Sequence, residues 1–65
     1  MKFNVFKNGQ KCGFVLGDRF NCINSNSMIH ILDENKKTLT FFKNARLAKV
    51  ADKEDEYNLY LEKGE

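Results

Sequence analysis

Asn8-Gly9 stands between two short apolar–polar alternations, with Phe3 and Val5 before it and Cys12 and Phe14 after it. Both residues tolerate positive φ, which a type I′ hairpin turn requires at its two central positions. A two-residue loop here sets Lys7 opposite Gln10, Val5 opposite Cys12 and Phe3 opposite Phe14. Turn chemistry and hydrophobic pattern then select one register, so a β-hairpin is expected over Lys2–Lys7 and Lys11–Leu16.

The same alternation runs through most of the chain. Gly17-Asp18 breaks it before Arg19–Ile23, and a loop from Gly17 to Arg19 sets Leu16 opposite Phe20 and Phe14 opposite Cys22. Asn24-Ser25-Asn26-Ser27 reads as a polar connector whose side chains satisfy their own backbone. Met28–Asp33 and Thr38–Lys43 form a second hairpin around Glu34–Lys37, and a three-residue loop places Ile31 beside Leu39 and Ile29 beside Phe41. The β-branched and aromatic content supports strands there. Further on, Arg46–Ala51 is read as a strand, Asp52–Asp55 as a turn and Tyr57–Glu62 as a strand, because Tyr57, Leu59 and Leu61 alternate with polar neighbours. A short helix near residues 45–51, capped by Asn44, is the alternative. It is disfavoured because Lys43, Arg46 and Lys49 would crowd its start and Asp52, Glu54 and Asp55 its end, against the helix dipole.

A chain of 65 residues makes one domain, here residues 1–65, and the expected class is mainly β: a small antiparallel sheet or curled barrel of five to seven short strands. A domain this size buries only about 60% of the surface its unfolded chain exposes, so its core is thin. Six Phe and two Tyr supply much of it, and with no Pro no strand loses a backbone donor. The face expected to be buried collects Phe3, Val5, Cys12, Phe14, Leu16, Ile29, Ile31, Leu39, Phe41, Val50, Tyr57, Leu59 and Leu61. The opposite face is not clean, because it carries Phe6, Val15, Leu32, Phe42, Leu47 and Tyr60. A half-buried sheet normally has a more polar outer side.

No apolar run has signal-peptide or membrane-spanning character, and two Cys ten positions apart suit a reducing compartment. A cytoplasmic setting without membrane contact is expected. Cys12 and Cys22 fall on one face as diagonal neighbours, about 7–8 Å apart, too far for an unstrained disulfide. They are expected to be reduced, buried thiols packed as hydrophobes. His30, the single histidine, points outward beside Phe42 and Leu32 and reads as a surface imidazole. One His and no Cys pair at ligand spacing give no zinc site. Gly13 reads as a bulge and Gly17 as a turn, since neither has the strand-to-helix context of a phosphate loop. No catalytic set and no cofactor site emerges.

Net charge is +2 but unevenly spread: residues 1–51 hold nine Lys/Arg against three Asp/Glu, and residues 52–65 hold two against six. The leading expectation is a non-enzymatic interaction module that docks another protein through Phe6, His30, Phe42, Arg46, Leu47 and Tyr60. Compact chains of this kind include accessory or inhibitory proteins of phages and mobile elements. Exposure of so many apolar groups also predicts a homodimer. Two alternatives stand beside it. One is a nucleic-acid-binding barrel using the basic set Lys36, Lys37, Lys43, Arg46 and Lys49 with nearby aromatics. The other is an oligomer that sequesters a small anionic ligand such as a nucleotide.

Overall fold

The computed structural model describes residues 1–23 and 28–61 and is mainly β. Seven strands run in order: β1 Lys2–Lys7, β2 Gln10–Leu16, β3 Arg19–Ile23, β4 Met28–Leu32, β5 Thr38–Phe42, β6 Ala45–Lys49 and β7 Glu56–Leu61. They form a four-stranded sheet of order β2-β1-β7-β6 and a three-stranded sheet of order β3-β4-β5. The sheets do not close into a barrel, and no helix occurs among the described residues. Ala45–Lys49 is strand, so the charge argument against a helix there agrees with the structure. The polar connector 24–27 and Glu62 lie outside the described residues.

The Asn8-Gly9 turn forms as expected, with φ of 55° and 79° and with Lys7 opposite Gln10. Beyond it the register departs from expectation. Phe6 pairs with Lys11 but Val5 pairs with Gly13, so Cys12 is the extra residue of a β-bulge flanked by Gly13. One inserted residue moves every later side chain to the other face. Phe3 therefore opposes Val15, not Phe14, and Phe14, Leu16 and Cys12 face solvent.

The β4–β5 hairpin repeats this pattern. Its turn is the expected one: Asp33 N–H donates to Lys37 O at 2.9 Å, Lys36 has a φ of 68°, and the Asp33 carboxylate accepts the N–H groups of Asn35 and Lys37. Leu32 opposes Thr38, but Ile31 opposes Thr40, leaving Leu39 bulged. Ile29 consequently faces Phe42, and Phe41 with Leu39 turns outward. The expected placement of Phe41 inside and Phe42 outside is thus reversed.

Gly17 and Asp18 do not close a hairpin. They carry the chain from one sheet to the other, so Leu16 does not pair with Phe20, nor Phe14 with Cys22. Gly17 exchanges backbone hydrogen bonds with Met1 beside β1, while Asp18 N–H reaches Leu32 O at the end of β4. A Cβ on Gly17 would collide with the Ile31 side chain and crowd Leu32 O, which is why the crossing needs glycine. Asn44, with φ of 53°, makes the return crossing between β5 and β6. β7 then inserts between β1 and β6, antiparallel to β6 and parallel to β1.

The core lies between the sheets. Phe3, Ile29, Ile31, Ala45 and Leu59 are buried, with Val15, Phe20, Phe42, Leu47, Tyr57 and Leu61 packed around them. Phe3 stacks on Tyr57 at 5.6 Å, and Phe20 meets both rings edge-on. Full burial of side chains such as Phe3, Ile31 and Leu59 is worth roughly 1.5–3 kcal/mol each.

Candidate functional site

Strict alternation on β1, β6 and β7 sends Asn4, Phe6, Arg46, Asn58 and Tyr60 to the outer face of the four-stranded sheet, and the β2 bulge adds Phe14 to it. The ladder fixes their rows. Phe14, Asn4, Asn58 and Ala48 lie across one row, and Lys11, Phe6, Tyr60 and Arg46 across the next. Lys2 lies between Leu16 and Glu56 in a third.

Rings and cations meet along and between these rows. Lys2 Nζ sits 4.8 Å from the Phe14 centroid, Phe6 and Tyr60 lie 5.2 Å apart, and the Arg46 guanidinium is 5.9 Å from the Tyr60 centroid. Each pair is held by cross-strand adjacency, the sheet's counterpart of helical i,i+4 contacts.

Amides fill the centre. Asn4 Nδ2 donates to Glu56 Oε2 at 2.9 Å and to Asn58 Oδ1 at 3.2 Å, and Asn58 Nδ2 donates to the Tyr60 hydroxyl oxygen at 3.2 Å. An ionised carboxylate only accepts, so Glu56 fixes which way the Asn4 amide points. The hydrogen bond from Asn4 holds the Glu56 carboxyl below its ordinary 4.5; Lys2, Lys53 and Lys11 act in the same direction and desolvation opposes them. Asn4 is 4% exposed, and its Oδ1 is buried without a hydrogen-bond partner.

Of the residues expected at an interface, Phe6, Arg46 and Tyr60 come together here. His30 points outward from the other sheet, where it stacks on Phe41 at 5.4 Å and contacts Thr38 Oγ1 and Met28 Sδ. Its neighbour is Phe41 and not Phe42, a consequence of the Leu39 bulge. Phe42 and Leu47 face inward, opposite Ile29 and Leu59, and pack against the core. The basic set is spread over strands of both sheets: Lys36 and Lys37 precede β5, Lys43 follows it, and Arg46 and Lys49 lie on β6.

Cys12 and Cys22 are free thiols, but both are exposed, Cys12 at the bulge and Cys22 on the edge strand β3. The expectation of buried thiols is overturned, for Cys12 by the β2 bulge and for Cys22 by the place of β3 at a sheet edge. Among the described residues no three His, Cys, Asp or Glu side chains converge as metal ligands would, and no helix is long and apolar enough to cross a membrane. No family model, curated protein or solved structure matches the chain.

Sequence reasoning missed Phe14, Asn4, Asn58 and Glu56. Asn4 and Asn58 each sit at a polar position between apolar ones, so their shared face follows once the β1–β7 pairing is known.

Proposed function

We propose that this chain is a non-enzymatic, cytoplasmic binding module that docks a partner protein on the outer face of its four-stranded sheet. The observation that carries the reading is the set of cation-edged rings, Lys2 on Phe14 and Arg46 on the Tyr60–Phe6 pair, around a hydrogen-bonded amide centre. Aromatic and arginine side chains at the middle of a patch are the groups that dominate protein interfaces. A partner with apolar contacts and a few amide or carboxylate groups suits this surface. An accessory or inhibitory role, of the kind small phage and mobile-element proteins play, fits a module that binds without transforming its partner.

Rings edged by cations also favour single-stranded nucleic acid. Against that, Glu56 places an ionised carboxylate among them, and four of the five basic residues once grouped for this role lie elsewhere. Capture from lysate on the immobilised full chain, followed by titration of the purified partner, tests the reading. Phe14→Glu should keep the circular dichroism of the parent and weaken the partner at least about tenfold, roughly 1.4 kcal/mol. Nucleic acid as the captured species, with affinity falling steeply between about 50 and 200 mM salt, would replace the reading.

A further inference from the structure

Each sheet has two edges, and three of the four carry charge. β2 has Lys11, β3 begins at Arg19, and β6 has Arg46 and Lys49. Charges on edge strands oppose pairing with other chains. The fourth edge, β5, reads Thr-Leu-Thr-Phe-Phe, bonded to β4 along one side and ending the sheet on the other. Leu39 and Phe41 on it are 54% and 51% exposed.

A second observation lies beside the first. An open groove of about 470 Å³ is lined by Met1, Leu16 and Leu39, with Lys2, Asp18 and Asp55 around them. It lies at the start of β5, with the bulged Leu39 on one side and the exposed Leu16 of the other sheet across from it. An incoming strand could seat one side chain there and another against Phe41. Main-chain bonds supply affinity in such additions, and side-chain sites supply selectivity.

We propose that the open edge of β5 receives an extended segment of a partner protein as a fourth strand of this sheet, the segment being apolar at its centre and acidic at its ends. The acidic ends answer Lys36 and Lys37 before β5 and Lys43 after it. Asp33 does not neutralise them at the edge, since its carboxylate is turned into the β4–β5 loop. The same lysines oppose a second copy of this chain in the symmetric register. Antiparallel self-pairing about Thr40 sets Lys37 against the copy's Lys43 at both ends, and directly opposed like charges destabilise a strand pair. The groove shares Lys2 and Leu16 with the rim of the face holding Phe14 and Tyr60, whereas Leu39 and Phe41 belong to the β5 edge alone.

The test uses the full chain and a capped synthetic peptide, Glu-Glu-Val-Thr-Val-Thr-Val-Glu. Binding should protect from hydrogen exchange those β5 amides that exchange freely in the unbound protein. A twin with lysine at both ends should bind at least about tenfold more weakly. N-methylation of alternate peptide residues should abolish binding in one of its two phases. Leu39→Glu, at an exposed position, should weaken binding with an unchanged circular dichroism spectrum. The proposal is overturned by no binding at millimolar peptide, by equal binding of the lysine twin, by binding that survives both methylation phases, or by protection confined to another edge. A wild-type dimer with β5 amides already protected overturns it as well, by making the second copy the occupant.

Discussion

The outer faces of the two sheets are built from similar residues, phenylalanine beside an amide, imidazole or cation, yet they meet solvent differently. In the four-stranded sheet β1 and β7 are both interior strands, so Asn4 has outward neighbours on either side and joins Glu56, Asn58 and Tyr60 in one network. In the three-stranded sheet only β4 is interior, and His30 finds one ring, one hydroxyl and one thioether. Two adjacent interior strands thus bury Asn4, whereas His30 on a lone interior strand, flanked by Asn21 and Phe41, stays partly exposed. The wider sheet offers a structured face, and the narrower one offers an edge.

The largest expected effect tests which side of β5 is enclosed. Phe42→Glu places a carboxylate against Ile29 between the sheets and should cost roughly 3 kcal/mol or more, enough to unfold much of a small domain. Phe41→Ala removes a half-exposed ring from the outer face and should cost about 1 kcal/mol or less. Urea denaturation of both variants decides, and the reverse order would exchange the two faces of β5.

Next in size is the crossing between the sheets. Gly17→Ala drives a methyl into Ile31 and toward Leu32 O and should destabilise by roughly 1–3 kcal/mol. Gly9→Ala meets no atoms within 4 Å, so only its positive φ opposes it, at about 1 kcal/mol. Equal midpoints for the pair would place the sheets further apart than described.

Asn4→Ala against His30→Ala compares the outer faces directly. The first removes the donor shared by Glu56 and Asn58 and should cost about 1 kcal/mol; the second should stay within about 0.5 kcal/mol. Asn4→Ala should also return the Glu56 carboxyl toward 4.5, read by NMR titration of its side-chain carbon. Because the folded value is depressed, Glu56 contributes stability above 4.5 that disappears as pH falls through the lowered folded value. Glu56→Gln should therefore flatten that part of the acid limb, and an unchanged limb would remove Glu56 from the network. The smallest effect is on stability but not on chemistry: Cys12 and Cys22 should both react promptly with a thiol reagent in the native state, and slow labelling would return them to the core.

What was legible in the sequence was local. Asn8-Gly9 and the Asp33–Lys37 loop form with the predicted pairings, since their backbone demands are written in two or three residues. The faces of β1, β4 and β7 follow from alternation alone, which is why Phe6 and Tyr60 were found. The faces of β2 and β5 were not legible because a single extra residue, Cys12 or Leu39, inverts all that follows. Gly13 signalled the first bulge; no residue type marked the second. Phe14 was misplaced for that reason. The partition into two sheets depends on which distant strands meet, and the parallel neighbour of β1 has no mark in the chain near it.

That parallel pairing also orders events in time. Asn4 and Asn58 meet across 54 positions, so the central ladder of the wider sheet closes one of the longest loops the chain can form. Such closures pay their entropy before any contact rewards it, and they slow folding. β7 is the strand that joins β1 to β6, and it is the last of the seven to leave the ribosome. Until residues 56–61 emerge, the hairpin β1–β2 waits with Phe3 and Val5 uncovered, and β6 has no sheet to join. During synthesis the sides of β1 and β6 that β7 covers therefore stay open to other strands until residues 56–61 emerge.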